Sequence, residues 1–124
     1  MRALQAVLIV LSLADFVAAE RAPDEMAAVD VNHWISFFDR LVDAVVQAGP
    51  ACEKMAVDVS TLIDHNQDAI DAVRAARAAK RKLPEAAQQH MLAGVQRMGP
   101  AMKKCATHPK VIAAFAKLDL NRPR

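Results

Sequence analysis

The sequence predicts an all-α fold, a small antiparallel bundle of about four helices, clamped by one disulfide and preceded by a cleaved signal peptide. Three observations predict it. Apolar residues recur at helical spacing in stretches separated by Gly-Pro or Lys/Arg-Pro junctions. Alanine is abundant, while Trp34, Phe37, Phe38 and Phe115 are the only aromatic residues after position 19 and tyrosine is absent; strands draw on β-branched and aromatic side chains, close-packed helices do not need them. The third observation is that Cys52 and Cys105 are the only cysteines.

Residues 1–19 have the three parts of an export signal in order: Arg2 as the charged start, the apolar run Ala3 to Leu13, and the small residues Val17-Ala18-Ala19 before Glu20. The apolar core is too short for the roughly 20 residues a bilayer requires, and Asp15 interrupts its end. The processed chain is therefore expected to begin at Glu20, not to span a membrane, and to be secreted or periplasmic. Residues 20–124 make a single helical domain, with 119–124 expected to be a frayed tail.

In the first helix Trp34, Ile35, Phe38, Leu41, Val42, Val45 and Val46 form the inner face, Asn32, Ser36, Asp39, Arg40, Asp43 and Gln47 the outer, and Asp30 or Asn32 is the expected cap. Gly49-Pro50 ends it. A second, longer helix is expected from about Pro50 to Ala79, with Cys52, Met55, Val59, Leu62, Ile63, Ala69, Ile70 and Val73 inward. Asn66 falls on that stripe, where a polar side chain fixes helix register or lines a polar pocket; on the register reading, Asn66→Leu preserves or raises stability. Lys80-Arg81-Lys82-Leu83-Pro84 makes the next turn. A third helix follows to Cys105, with Ala87, Met91, Val95, Met98 and Met102 inward and a kink or break at Gly99-Pro100. A short last helix, Pro109 to Leu118, presents Val111, Ile112, Phe115 and Leu118.

Cys52 opens the second helix and Cys105 closes the third, which in an antiparallel pair are the same end. The two thiols should meet and, in an oxidising compartment, bond. Closing a loop of this length contributes on the order of 4 kcal/mol. No C-x-x-C spacing supports a redox or metal-binding pair. Gly49-Pro50-Ala51 and Gly99-Pro100-Ala101 form an internal echo, which a duplicated helix pair or coincidence in an alanine-rich chain explains.

Charge divides the molecule. Glu20 to Asp71 carries 11 acids and 3 bases, Ala72 to Arg124 carries 2 acids and 12 bases, so folding should lay one half against the other. Arg74, Arg77, Lys80, Arg81 and Lys82 suit the negative end of a helix dipole; alternatively they form an anion-facing patch that meets envelope phosphates, acidic glycans or lipid headgroups. Nucleic acid is excluded as a partner by export and by the lack of aromatics interleaved with the bases.

Asp58, Asp64, His65, Asp68 and Asp71 crowd the outer side of the second helix. Cations from a neighbouring helix, solvation or a divalent metal would relieve their repulsion. Met91, Met98 and Met102 raise a copper or haem reading, and length and export are similar to those of the small four-helix b-type cytochromes, whose haem is held by Met and His. Met26 stands for the early Met, but His108 precedes Pro109 at a helix start and no histidine lies near the chain's end; Cys105-Ala106-Thr107-His108 also lacks the first cysteine of C-x-x-C-H. The methionines therefore read as core filler, and no cofactor is expected. Histidines 33, 65, 90 and 108 are scattered and hydroxyls sparse, so no nucleophile, base and orienter assemble, and the chain is expected not to be an enzyme.

The resulting expectation is a non-enzymatic envelope or secreted interaction module, meeting a protein or an anionic envelope component through its charged faces or an apolar groove by Trp34 and Phe37. The alternative is a small-ligand or metal carrier. No sequence feature sets the partner's identity or the oligomeric state.

Overall fold

The structure is a computed structural model that describes residues 24–121, and over them the chain is all-α. Five helices follow in order: α1 (Ala28–Ala48), α2 (Cys52–His65), α3 (Gln67–Ala78), α4 (Glu85–Cys105) and α5 (Pro109–Ala116). The expected signal peptide, 1–19, lies outside the described residues.

α1 is the central element and packs against α2, α3 and α4. It therefore buries two adjoining stripes, Trp34, Phe37, Leu41, Val45 and Ala48 beside Phe38 and Val42. The helix begins at Ala28, before either expected cap; Asp30 lies in its first turn, where a negative charge suits the dipole. Val46, expected inward, is exposed. Gly49 ends the helix at a positive φ of 56°, a conformation that glycine adopts without steric cost.

The expected 50–79 helix is two helices, because the ladder breaks at Asn66 (φ −126°, ψ 32°). Helical carbonyls that lose their usual donors there need others. The Asn66 Nδ2 donates to Leu62 O at 2.7 Å, while the Asn66 backbone N–H (3.2 Å) and Gln67 Nε2 (3.0 Å) both donate to Ile63 O. Asn66 Oδ1 accepts from Arg40 on α1 at 2.9 Å. Asn66 is thus the hub of a hydrogen-bonded network at a break, not a register-setting residue within a continuous helix.

The tightest pairs join helices three apart in chain order, α1 with α4 and α2 with α5. Trp34 meets Met91 and Asp43 meets Arg97, so α1 and α4 run the same way. Glu53 meets Lys110 and Asp64 meets Lys117, so α2 and α5 do too. Ala28 and Glu85, Ala48 and Cys105, Cys52 and Pro109 are the matching helix ends, each pair 57 residues apart like Trp34 and Met91. A helix–turn–helix plan is therefore used twice, in parallel and side by side. The Gly-Pro-Ala echo does not mark it: Gly49-Pro50 is a turn, whereas Gly99-Pro100 lies inside α4, which continues through Pro100 to Cys105.

The disulfide joins Cys52 to Cys105 as expected, with Cα atoms 5.3 Å apart. Its cause differs from the expected antiparallel pairing of the helices that carry it. The bond closes where the α1–α2 and α4–α5 turns lie side by side at one end of the bundle. α4 reaches α1 through Gly94 rather than Val95, which is exposed. A Cβ at Gly94 would lie 2.6 Å from Phe38 Cε1 and 3.0 Å from Val42 Cγ2, so only glycine permits this approach.

Two stability changes are expected in urea titrations of the oxidised protein. Gly94→Ala should cost about 1–3 kcal/mol by forcing α4 off α1. Asn66→Leu should cost about 1–2 kcal/mol rather than stabilise, since it removes the side-chain donor to the Leu62 carbonyl and the acceptor that ties Arg40 to the break.

Candidate functional site

The basic residues 74–82 lie at the end of α3 and in the turn after it, and backbone geometry holds that turn. Arg81 N donates to Ala76 O at 2.8 Å and Lys80 N to Arg77 O at 3.0 Å, the paired bonds of a Schellman ending. Lys80 occupies its left-handed position at φ 58°, where glycine is usual. The chain then pairs with the incoming segment: Lys82 N donates to Asp24 O at 2.7 Å and Met26 N to Lys82 O at 2.9 Å, making a parallel bridge between Glu25 and Lys82. Gln88 Nε2 donates to Leu83 O at 2.7 Å and secures the far side.

This geometry divides the five expected patch residues. Arg77, Lys80, Arg81 and Lys82 are exposed. Arg74 is not part of the patch: it is 8% exposed and its guanidinium is committed internally. It donates to the carbonyls of Asp119 (2.8 Å) and Lys117 (3.3 Å) and to Asp71 Oδ1 (3.1 Å), so a cation from α3 satisfies carbonyls just past the C-terminus of α5. Arg77 donates to Asn121 Oδ1 at 2.8 Å. Residues 119–121, expected to be frayed, are docked by these two arginines; 122–124 lie outside the described residues.

A cavity of about 310 Å³ opens beneath the turn. Met26, Trp34, Val73 and Ala76 form its buried wall, with Leu83, Met91 and Leu120 half-buried around them. Arg77, Arg81 and Lys82 are its charged lining residues. Trp34 Nε1–H donates to the Met91 sulfur at 3.2 Å, which satisfies the indole without a polar group in the wall. A second, larger cavity of about 530 Å³ shares Met26, Ala76 and Arg81, but its other charged lining residues are Asp30, Asp68 and Asp71.

The expected wide groove by Trp34 and Phe37 is corrected: Phe37 is fully buried in the core and lines none of these cavities, and only Trp34, itself buried, backs the cavity beneath the turn. Three of the four crowded carboxylates of the expected second helix are met by cations, Lys54 pairing with Asp58, Lys117 with Asp64 and Arg74 with Asp71, and Asp68 is exposed to solvent. Among the described residues no group of three or more His, Cys, Asp or Glu side chains is placed to hold a metal ion. The methionines and histidines have separate roles. Met91 accepts the indole N–H, Met98 is buried in the core, His90 pairs with Asp39 at 2.6 Å, and His108 Nδ1 caps α5 by accepting from Lys110 N at 3.2 Å.

No protein-family model matches the chain, and no curated protein or solved structure matches it. The sequence reading found the cations of the turn but missed the cavity below them. One signal was available: the only tryptophan, on an inner stripe, needs an acceptor for its N–H, and Met91 is on the inner stripe of the helix that pairs with it.

Arg74→Ala should lower the unfolding free energy by about 3 kcal/mol, because the charge-assisted bonds of a buried guanidinium to the Lys117 and Asp119 carbonyls are lost; Arg74→Lys should restore little of it, since an ammonium cannot reproduce the guanidinium fork. Arg81→Ala, at the exposed turn, should change stability by less than about 0.5 kcal/mol in the same urea titration.

Proposed function

We propose that this chain is an exported, non-enzymatic binding module that meets an anionic component of the cell envelope through the basic turn Arg77, Lys80, Arg81 and Lys82. One observation carries the reading. Four basic side chains of the second half outside the turn are used in pairs between elements, His90 with Asp39, Arg97 with Asp43, Lys110 with Glu53 and Lys117 with Asp64. Among the described residues no carboxylate forms an ion pair with Arg77, Lys80 or Arg81, and these three project from a backbone held at both sides. Lys82 pairs only with Asp24, at 3.5 Å and well exposed to solvent, an interaction of little strength. A fixed cluster of cations attracts anions without prior ordering of the chain.

Export is supported by the Arg2, Ala3–Leu13 and Val17-Ala18-Ala19 pattern and by the disulfide, a bond that persists in oxidising compartments. Among the described residues no helix is long and apolar enough to cross a membrane.

The test is co-sedimentation of the exported, oxidised protein with vesicles containing phosphatidylglycerol or only phosphatidylcholine. At low salt the protein should be retained on the anionic vesicles alone and be released above about 0.15 M salt, where the screening length falls to about 8 Å. K80E/R81E/K82E should weaken retention at least tenfold, and K103E/K104E, at the end of α4, should not. Absence of retention, or equal loss in the two variants, overturns the reading.

A further inference from the structure

We infer that the cavity beneath the basic turn is a binding site for a single-chain anionic amphiphile, with the acyl chain along the Trp34–Met91 wall and the anionic head among Arg77, Arg81 and Lys82. The inference rests on the reading of this turn as anion-facing and specifies what it holds.

The wall selects an apolar chain. Trp34 donates its single N–H to Met91, so the indole offers no donor to the cavity, and Gln88 commits one amide N–H to Leu83 O at the exposed rim. Among the described residues no buried side-chain nitrogen or oxygen lacks a partner. A polar ligand would lose hydration against such a wall without recovering it, whereas an alkyl chain gains by leaving water.

The rim selects the sign of the head. Every charged side chain lining this cavity is basic. The neighbouring cavity is larger and lined mainly by alanine, and Asp30, Asp68 and Asp71 join Arg81 as its charged residues. The two cavities meet at Met26, Ala76 and Arg81, so one molecule presents adjoining hollows of opposite charge, and only the one that contains Trp34 favours an anion. Size limits the chain: about 310 Å³ lies at the lower end of the roughly 300–1,000 Å³ of ligand sites and accommodates one chain of medium length. A monomeric carboxylate and a membrane lipid share this chemistry, and the experiment separates them.

The exported, oxidised protein is titrated with sodium decanoate at submicellar concentration. Fluorescence of Trp34, the only tryptophan, and native mass spectrometry are followed together. A saturable response with one decanoate per chain is expected, at least tenfold weaker in R77Q/R81Q, with no saturable response to decyltrimethylammonium. Absence of both the adduct and the fluorescence change overturns the site, as does equal binding of the cationic probe or by the variant. Vesicle retention without decanoate binding overturns the cavity site and leaves the surface reading standing. Decanoate binding without vesicle retention supports the site, overturns the surface reading and identifies free monomers as the source.

Discussion

α1 carries an apolar surface too wide for a single neighbour, and the position of every other element follows from how that surface is covered. One stripe, Trp34, Phe37, Leu41, Val45 and Ala48, would suit an ordinary two-helix contact; Phe38 and Val42 widen it. Three helices are needed to cover it, and α2, α3 and α4 all lie against α1. A continuous helix from residue 50 to 79 would leave along a straight line and lose this contact. The break at Asn66 returns the chain to α1, and Arg40 fastens the break to α1 directly. On the other side, the absence of a side chain at Gly94 lets α4 approach Phe38 closely enough for the second copy of the helix–turn–helix plan to settle beside the first.

Charge selects among ways of covering that core more than it stabilises the result. The pairs joining distant elements, including His90 with Asp39 and Lys110 with Glu53, take the acid from the first half and the base from the second. Each is largely exposed, so each contributes at most about 1 kcal/mol and is weakened by salt. Their value lies in register. Shifting α4 or α5 along its partner would set these bases against other groups, and pairing the first half with a copy of itself would set acid against acid. Arg74 differs in kind, because it is buried and its bonds to Lys117 O and Asp119 O tie α3 to the end of α5.

Helix content, the Gly49 ending, the disulfide and the complementarity of the two halves were legible in the sequence because each rests on local pattern or on charge counts. Asn66 was misread and Gly94 passed over for one reason. Both lie on or beside a regular apolar stripe, and periodicity assigns a role from spacing alone. It cannot register that an amide replaces a missing backbone donor, or that a small residue is inward because a neighbour's ring needs the space. The patch was misjudged at Arg74 for a related reason: in a run of cations, sequence does not distinguish the one that turns inward to meet carbonyls 43 and 45 residues away. The cavity was invisible because its wall is assembled from the incoming segment, α1, α3, the turn, α4 and Leu120.

The turn after α3 combines two destabilising features. Lys80 adopts a left-handed conformation that costs a side-chain-bearing residue roughly 1 kcal/mol, and glycine would remove that cost. Lys80, Arg81 and Lys82 are consecutive, which adds mutual repulsion, and the pair formed by Lys82 with Asp24 is too exposed to offset it. At the other sharp helix ending, Gly49 takes the positive φ and no charge cluster follows. The chain therefore uses the stable solution at the turn beside the disulfide and the costly one at the turn above the cavity. Strain and like charge concentrated at one exposed, well-anchored turn are what a binding surface requires and what a purely structural turn avoids.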